Sequence, residues 1–555
     1  MDRALGWYRS TCGHALIGAV LLWAALPPCD LGPLAWAAPV WWVVLLRRDR
    51  LAGRKPYRTL WLVGFGFWLA ALHWLRLPHW ATSFGWVALS AYFACYLPGF
   101  VALGRVAVHR LRVPVILAAP VVWTGLELAR AHLLTGFTMA SLGHTQHRWI
   151  ELIQVSDLVG AYGVSFLVMF AAACVARMLP VAALPLEAVA SAGQAPTPWW
   201  RQVAWWPALL LVAVVGGALV YGYARTCGPA PQAEARIALI QGSIDIELKS
   251  DPAMRDVIQQ HYLDLSRQAL REHGGNRAVD LVVWPETMFR ESLVEYDADA
   301  LVLPGWLRSE FFARLERASA QSRAAVARLA EELRTSLLVG IDTEYYSRRG
   351  PRFFNSAAMI DASGTVVGRY DKMHLVMFGE YVPWADRFPA LQRFTPLSVS
   401  LTPGAEPRAF DLKTLRIAPN ICYESVLPHL LRRQINALAD AGREPQVLVN
   451  LTNDGWFWGS SELDMHLICG VFRAVESRKP FLIAANTGFS AWIDADGRIR
   501  AQGPRRATGT ILAEVGRDPR HSLYLGYGDW FSGACLAACG VLALAGLRRR
   551  RGNSG

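Results

Sequence analysis

Charge is what this chain has least of. Only 18% of its 555 residues are Asp, Glu, Lys or Arg, and 53% are hydrophobic, whereas soluble domains carry roughly 25% charged residues. The shortfall lies in the first 225 residues and the last 25, which excludes one uniform soluble domain. Cysteine is sparse in pattern rather than in number. The nine Cys show no CxxC and no Cys/His ligand spacing, so neither a zinc site nor a disulfide framework is implied. A Gly-rich phosphate loop is missing, and with it any motif for a nucleotide cofactor. The net charge of +12 does not imply nucleic acid, because the basic residues gather at the ends of apolar runs, where membrane topology accounts for them. Nor does the start read as a cleaved leader: Leu26-Pro27-Pro28-Cys29 sets prolines where a cleavage site needs small residues.

What the chain does have is long apolar runs. Seven precede residue 225, at about 12–28, 32–46, 60–76, 84–104, 114–134, 157–179 and 203–224, and an eighth covers about 530–547. A spanning helix needs about 20 such residues, so the expectation is a multi-span helical bundle over 1–225 and a last span at 530–547. Arg47, Arg48, Arg50, Arg54, Lys55 and Arg58, then Arg105, Arg110 and Arg112, then Arg177 and Arg201, and finally Arg548 to Arg551 occupy alternate connections and the tail. Positive charge favours the cytoplasmic side. Both ends of the chain are therefore expected inside and the intervening stretch outside. Glu127 and Arg130, three residues apart in the fifth run, read more simply as a pair within the bundle than as a functional site.

After Pro229 the pattern changes to short apolar strands alternating with charged helices. Strands are expected at 236–241, 280–284, 336–341, 356–361, 365–370, 415–422, 447–450, 481–485 and 491–494, with helices at 251–272, 308–334, 425–438 and 462–478. This alternation over 232–515 predicts a layered α/β domain. Three short blocks carry chemistry. Glu286 follows Trp284-Pro285 at a strand end, Lys372 lies in Tyr370-Asp371-Lys372-Met373-His374, and Cys422 ends a strand in Ile421-Cys422-Tyr423-Glu424. Singly, each has a bland reading: a loop carboxylate, a surface lysine, a small buried thiol. Together they supply a base, a cation and a nucleophile, which is what acyl transfer through a covalent intermediate needs.

These blocks, with the run from Tyr370 to Pro383, Leu451 to Phe457 (LTNDGWF) and Arg473 to Pro480, resemble the nitrilase superfamily. Joined to a multi-span part, they resemble its membrane-integrated lipoprotein N-acyltransferase family. The resemblance implies an αββα sandwich with a Glu-Lys-Cys triad and no cofactor or metal. It implies Cys422 as nucleophile, Glu286 as general base, Lys372 as the stabilising cation, Glu380 as an accessory carboxylate positioning Lys372, and Tyr423 and Glu424 as supporting residues. The implied reaction moves the sn-1 acyl chain of a phospholipid to the N-terminal amine of a diacylglyceryl-cysteine lipoprotein at a bacterial inner membrane, on its periplasmic side. The chain departs from the pattern at Met377, where a proline is usual, and at the extra bulky Trp458. The run Leu301–Leu307 with Phe311 and Phe312 is too apolar for an ordinary loop, and Leu303, Trp306 and Phe311 are expected to form a lipid-access flap. The rival readings are a membrane-tethered amidase acting on small nitrogen compounds and a non-catalytic membrane scaffold.

Overall fold

The computed structural model describes residues 10–179, 204–229, 231–274, 278–384, 387, 388, 390 and 400–551. Arg201 lies outside the described residues, as do the side chains of residues 548–551. The chain divides into two compact units, one holding Ser83–Gly228 with the segments before Arg76 and after Tyr527, the other Pro229–Gly526 with Leu77–Thr82.

The first unit is helical. Helices occupy each apolar run: Thr11–Ala25, Leu34–Arg47, Pro56–Ala71, Thr82–Phe93 with Tyr96–Arg105, Val115–His132, Ala161–Met178, Trp206–Thr226 and Trp530–Arg551. Among the described residues four are long and apolar enough to cross a membrane, namely Thr82–Arg110, Ala161–Met178, Trp206–Thr226 and Trp530–Leu547. Thr11–Ala25 and Leu34–Arg47 are apolar but shorter, and 15 residues of helix extend only about 22 Å against a hydrocarbon core of about 30 Å. The helices touch closely. A Cβ at Gly125 would stand 2.7 Å from the Cys535 carbonyl, so only glycine lets Val115–His132 approach the last helix.

Basic residues collect at one end of this bundle. Arg47 donates to the Leu179 carbonyl (3.0 Å), and Arg105 to the carbonyls of Leu45 (3.1 Å) and Asp49 (2.8 Å). Arg110 reaches the carbonyl of Ala545. The four helix ends near 47, 110, 178 and 546 therefore sit together, and each guanidinium meets carbonyls that a helix C-terminus leaves unpaired. Glu127 and Arg130 are buried. Glu127 accepts from the Leu142 N–H (2.9 Å) and the Trp123 indole (3.0 Å), while Arg130 donates to Ser141 (2.7 Å) and lies 5.0 Å over the Trp68 ring. Both tie the 138–146 turn to the bundle.

The second unit holds two six-stranded sheets. In the first the order is β12-β1-β2-β3-β4-β5 and in the second β11-β10-β9-β8-β7-β6. The strands are β1 (Ala235–Gln241), β2 (Leu281–Tyr296), β3 (Ser336–Ser347), β4 (Gly350–Ile360), β5 (Val366–Asp371), β6 (Phe410–Leu412), β7 (Leu415–Ile421), β8 (Val447–Thr452), β9 (Phe481–Ala485), β10 (Ala491–Ile493), β11 (Ile499–Gln502) and β12 (Gly509–Val515). One buried cluster joins the sheets face to face: Ile237, Leu239, Leu281 and Val283 from the first meet Ile417, Ile421, Val449 and Leu482 from the second. On the outer face of the first sheet, helices Arg255–His273 and Arg308–Leu333 bury Tyr262, Val326 and Leu329 against Val282 and Val339. Helices Pro428–Asp440 and Glu462–Ser477 belong to the second sheet. The expected layered sandwich is thus present, with its central pairs parallel (β1/β2, β2/β3, β7/β8, β8/β9) and its outer pairs antiparallel.

Three short elements were not read from sequence: β6, β11 and β12. They are outer strands, and their existence depends on a partner. β12 pairs antiparallel with β1 from Ala235↔Val515 to Gln241↔Gly509, a contact across most of the domain. β2 also differs from expectation. It does not stop at Trp284 but runs to Tyr296, with its pairing to β3 interrupted between Trp284 and Phe289.

Candidate active site

The interruption in β2 is where Glu286 sits, so it belongs to a bulged strand interior and not to a strand end. The bulge leans on β3, and a Cβ at Gly340 would lie 2.2 Å from the Pro285 carbonyl and 2.6 Å from the Glu286 Cα. Glycine there lets the bulge press inward. Thr287 next to it has φ of +53°, and the kink turns Glu286 toward the second sheet. Glu286 Oε2 accepts from the Asn453 N–H just past β8 (2.9 Å), and Oε1 from Asn355 Nδ2 on β4 (2.7 Å).

Lys372 follows β5 directly. Its N–H donates to the Asn355 carbonyl (2.8 Å), and its own carbonyl accepts from Gly404 (2.8 Å). With the backbone held at both sides, the side chain is 1% exposed. Its Nζ lies 2.8 Å from Glu380 Oε1 and 3.4 Å from Glu286 Oε1. Glu380 is held in turn by the Val376 N–H (2.8 Å) and by Asn355 Nδ2 (3.3 Å). Burial alone would lower the ammonium's pKa, but Glu380, Glu286 and Cys422 outweigh it and hold Lys372 well above its ordinary value. Lys372 is a permanent cation at neutral pH.

Cys422 is the first residue beyond β7 and has φ of +50°, a left-handed turn that costs a non-glycine residue about 1–2 kcal/mol. The turn Cys422–Val426 follows at once. Ile421 pairs with Leu451 on β8, which brings Cys422 beside Thr452, whose hydroxyl bonds the thiol. Asn453, the partner of Glu286, is the next residue. Burial, and then the Glu286 carboxylate, push the thiol well above its ordinary pKa, and Lys372 only partly offsets them. At rest Cys422 is a protonated thiol, next to a carboxylate that can take its proton.

Glu424 is 2% exposed and works as a latch. It accepts from the Tyr370 hydroxyl (2.8 Å), from the N–H groups of Met373 (2.7 Å) and His374 (3.0 Å), and from Ile421 N–H (2.7 Å). One carboxylate thereby ties the Lys372 segment to the Cys422 turn. Tyr423 stacks on His374, with ring centroids 6.2 Å apart. Each N–H left without an acceptor costs about 1–3 kcal/mol. Glu424→Ala is therefore expected to lose at least about 3 kcal/mol of stability and nearly all activity, whereas an unchanged melting curve would refute the latch.

The apolar run after β2 divides. Phe311 is 2% exposed and packs with Val294 and Leu315, and Leu303 rests on the same cluster. Leu301, Trp306 and Leu307 are exposed, at 53%, 39% and 66%. Phe311 and Leu303 therefore anchor the segment, and Trp306 with its neighbours forms the outward surface. Trp458 is also exposed, under the Arg506 guanidinium at 5.4 Å.

Two groups of residues were not singled out from sequence. Asn355, on β4, clasps Glu286 and Glu380 with one amide nitrogen. Asp454, Glu462 and His466 are all buried, with ligand-type atoms within 4.8 Å of one another. Among the described residues this is the one set able to surround a cation. Its Asp454 Oδ1–His466 Nδ1 separation of 3.1 Å is that of a direct hydrogen bond, shorter than the ~3.3 Å between two ligands on a tetrahedral zinc.

A cysteine, a carboxylate and an ammonium joined across two face-to-face sheets define a carbon–nitrogen hydrolase-type enzyme, and a family model described as carbon-nitrogen hydrolase matches residues 236–521. A second model, for the apolipoprotein N-acyltransferase N-terminal domain, matches residues 18–174. The apolipoprotein N-acyltransferase of Geobacter metallireducens is 33% identical, covering 97% of this chain and 95% of its own length. That of Rhodopirellula baltica is 31% identical, covering 97% and 98%. An amidase from Nesterenkonia sp. AN1 of known structure is 17% identical over 52% of this chain and 95% of its own, with a TM-score of 0.34. The chain belongs to the apolipoprotein N-acyltransferase family, and it is an acyltransferase enzyme.

Proposed function

We propose that this enzyme N-acylates lipoproteins in two half-reactions. In the first, Cys422 Sγ attacks the sn-1 ester carbonyl of a phospholipid while Glu286 takes the thiol proton. The ester C–O bond breaks, the proton passes to the departing glycerol oxygen, and a lysophospholipid leaves a thioester on Cys422. In the second, the α-amine of a diacylglyceryl-cysteine attacks the thioester. Glu286 takes a proton from that amine, the C–S bond breaks, and the proton returns to sulfur. Lys372, with the Tyr423 N–H, stabilises the negative oxygen of each tetrahedral intermediate.

The observation that carries this reading is the placement of Lys372 Nζ between Glu286 and Glu380, beside a protonated Cys422. The base lies 3.4 Å from a buried cation, and it takes the proton as the C–S bond forms. The apolar helices and the names of the curated relatives support lipid-anchored substrates. The grouping of Arg47, Arg105 and Arg110 at one end of the bundle supports a cytoplasmic location for that end, with the sandwich on the periplasmic face of the inner membrane.

The test is mass spectrometry of purified protein incubated with phospholipid and no acceptor. A fatty acyl group is expected on Cys422 and is expected to disappear when a synthetic diacylglyceryl peptide is added. Hydrolysis of small amides with no N-acyl product would favour the amidase reading instead.

In the same reading the exposed side of the 301–307 segment meets the bilayer and guides lipid to Cys422. Trp306→Ser is expected to raise KM for vesicle phospholipid about tenfold, with the melting temperature unchanged. Phe311→Ala is expected to cost about 3 kcal/mol or more of stability, because it empties a packed core. Equal turnover by Trp306→Ser and the parent protein on vesicles would remove the lipid role.

A further inference from the structure

The left-handed turn at Cys422 needs something to hold it, and its carbonyl shows what. That oxygen accepts from Asn450 Nδ2 (3.1 Å) and from the Ser425 hydroxyl (3.0 Å). Ser425 is 1% exposed, and its oxygen lies 2.7 Å from His466 Nε2. His466 Nδ1 lies 3.1 Å from Asp454 Oδ1, which also accepts from the Thr452 hydroxyl at 2.8 Å.

The ring of His466 joins a hydroxyl to a carboxylate. The Ser425 hydroxyl has one proton and two partners, the Cys422 carbonyl and His466 Nε2. Nδ1 faces a carboxylate that only accepts, so Nδ1 carries a proton. His466 is thereby paired with Asp454. Burial would lower its pKa, but the Asp454 carboxylate, its hydrogen bond and the Cys422 carbonyl overcome this and raise it. The groups facing it are Asp454 past β8, Glu286 on β2, Ser425 and Cys422 on the nucleophile turn, and Glu462 one helical turn earlier. Glu462 Oε2 has no hydrogen-bond partner among the described residues. Burial, then Asp454 and Asp464, push its carboxyl well above the usual range.

We infer that Asp454, His466 and Ser425 form a buried relay that positions the nucleophile: Asp454 fixes the imidazole ring, the ring fixes the Ser425 hydroxyl, and Ser425 pins the Cys422 carbonyl in the turn that presents Sγ to Glu286. His466 touches neither substrate nor reacting atoms and is a positioning residue. The inference rests on Cys422 being the nucleophile, as proposed above. A second consequence concerns Thr452. Its single hydroxyl proton serves Asp454 at rest and is available to sulfur once the thiol ionises, because His466 keeps Asp454 paired.

The experiment uses the full chain in detergent with three variants, His466→Gln, Ser425→Ala and Ser425→Thr. Iodoacetamide labelling of Cys422 is followed against pH by peptide mass spectrometry, alongside kcat and KM for N-acyl transfer, thermal melting and metal content. His466→Gln and Ser425→Ala are expected to lower kcat about 10- to 100-fold with KM within about twofold, since small misplacements of a reacting group cost this much. His466→Gln removes the ring paired with Asp454, whose charge raises the thiol, so its labelling midpoint is expected to move to higher pH. Ser425→Thr, which keeps the hydroxyl, is expected to restore kcat. Activity lost only in proportion to lost fold, with an unmoved labelling profile, would reduce the three residues to core packing and overturn the proposal. So would one equivalent of divalent metal in the parent protein that Asp454→Asn releases. The labelling arm still reads the relay if no N-acyl product forms, so failure of the functional reading is distinguishable from failure of this one.

Discussion

Glu286→Gln is expected to cut N-acyl transfer by about 100- to 10,000-fold and, at the same time, to make Cys422 easier to alkylate. The two effects have opposite signs because Glu286 acts on the thiol in two ways. In the proposed reaction it is the group that removes the proton, and the amide of Gln cannot do so. It is also a negative charge beside sulfur that, after burial, is the main force holding the thiol protonated. Gln keeps the shape and can still accept from one of Asn355 and Asn453, while deleting the charge. The thiol pKa then falls, the thiolate fraction at a given pH rises, and iodoacetamide reacts faster between about pH 7 and pH 9. The exposed Cys29, Cys95 and Cys227 serve as internal references. If Cys422 became slower to label along with the loss of transfer, Glu286 would be holding the turn in place and not acting as its base.

Lys372→Met should be the most damaging single change to both rate and fold. Loss of one charge donor to the oxyanion costs about 100- to 1000-fold in rate. Here the same atom also separates two carboxylates, Glu286 and Glu380, that share the Asn355 amide. Removing one partner of a buried ion pair costs about 3–5 kcal/mol, because the charges left behind stay out of water. The pH sense follows from the direction of the shift. Lys372 is held above its unfolded value, so its stabilisation is fully present below about pH 10 and is lost only as pH rises through the folded value. The deficit of Lys372→Met should therefore be constant from about pH 6 to pH 9. Cys422 labelling should move the other way from Glu286→Gln, to higher pH, since a charge that lowers the thiol is gone. A variant that melts like the parent protein and labels with an unmoved pH profile would place the lysine outside the charge network described here.

The coupling of these residues explains why the site needs two sheets. Glu286 stands on a bulge of the first, Cys422 on a turn at the edge of the second, and Lys372 on the exit from β5. Glu424 and Asn355 lock the three segments together, the former by backbone amides and the latter by one side-chain nitrogen. The reacting groups are thus fixed before substrate arrives, which is the condition under which a buried cation lowers a barrier without reorganising.

Several features were legible in residue order alone. The apolar runs were, because a spanning helix is written as an average over about 20 positions, which does not depend on neighbours. The layered α/β pattern was, because alternating strand and helix runs carry it; the short blocks holding Glu286, Lys372 and Cys422 stand out by residue type, whereas Glu380 enters through the family resemblance. Other features were decided by packing between distant segments. Outer strands β6, β11 and β12 exist through their partners and not through a strong local alternation. Phe311 and Trp306, close neighbours in sequence, part company because Phe311 packs with Val294 and Leu315 while Trp306 meets that core at the edge of the Phe311 ring and lies under the Arg314 guanidinium. The bulge at Glu286 depends on a glycine in β3, and the Asp454–His466–Ser425 relay joins a turn, a helix and a strand end. Hydrophobicity and residue chemistry are local properties and can be read in order, whereas a hydrogen bond or a packed contact is a property of two chain segments at one point in space, and only the folded chain brings them there.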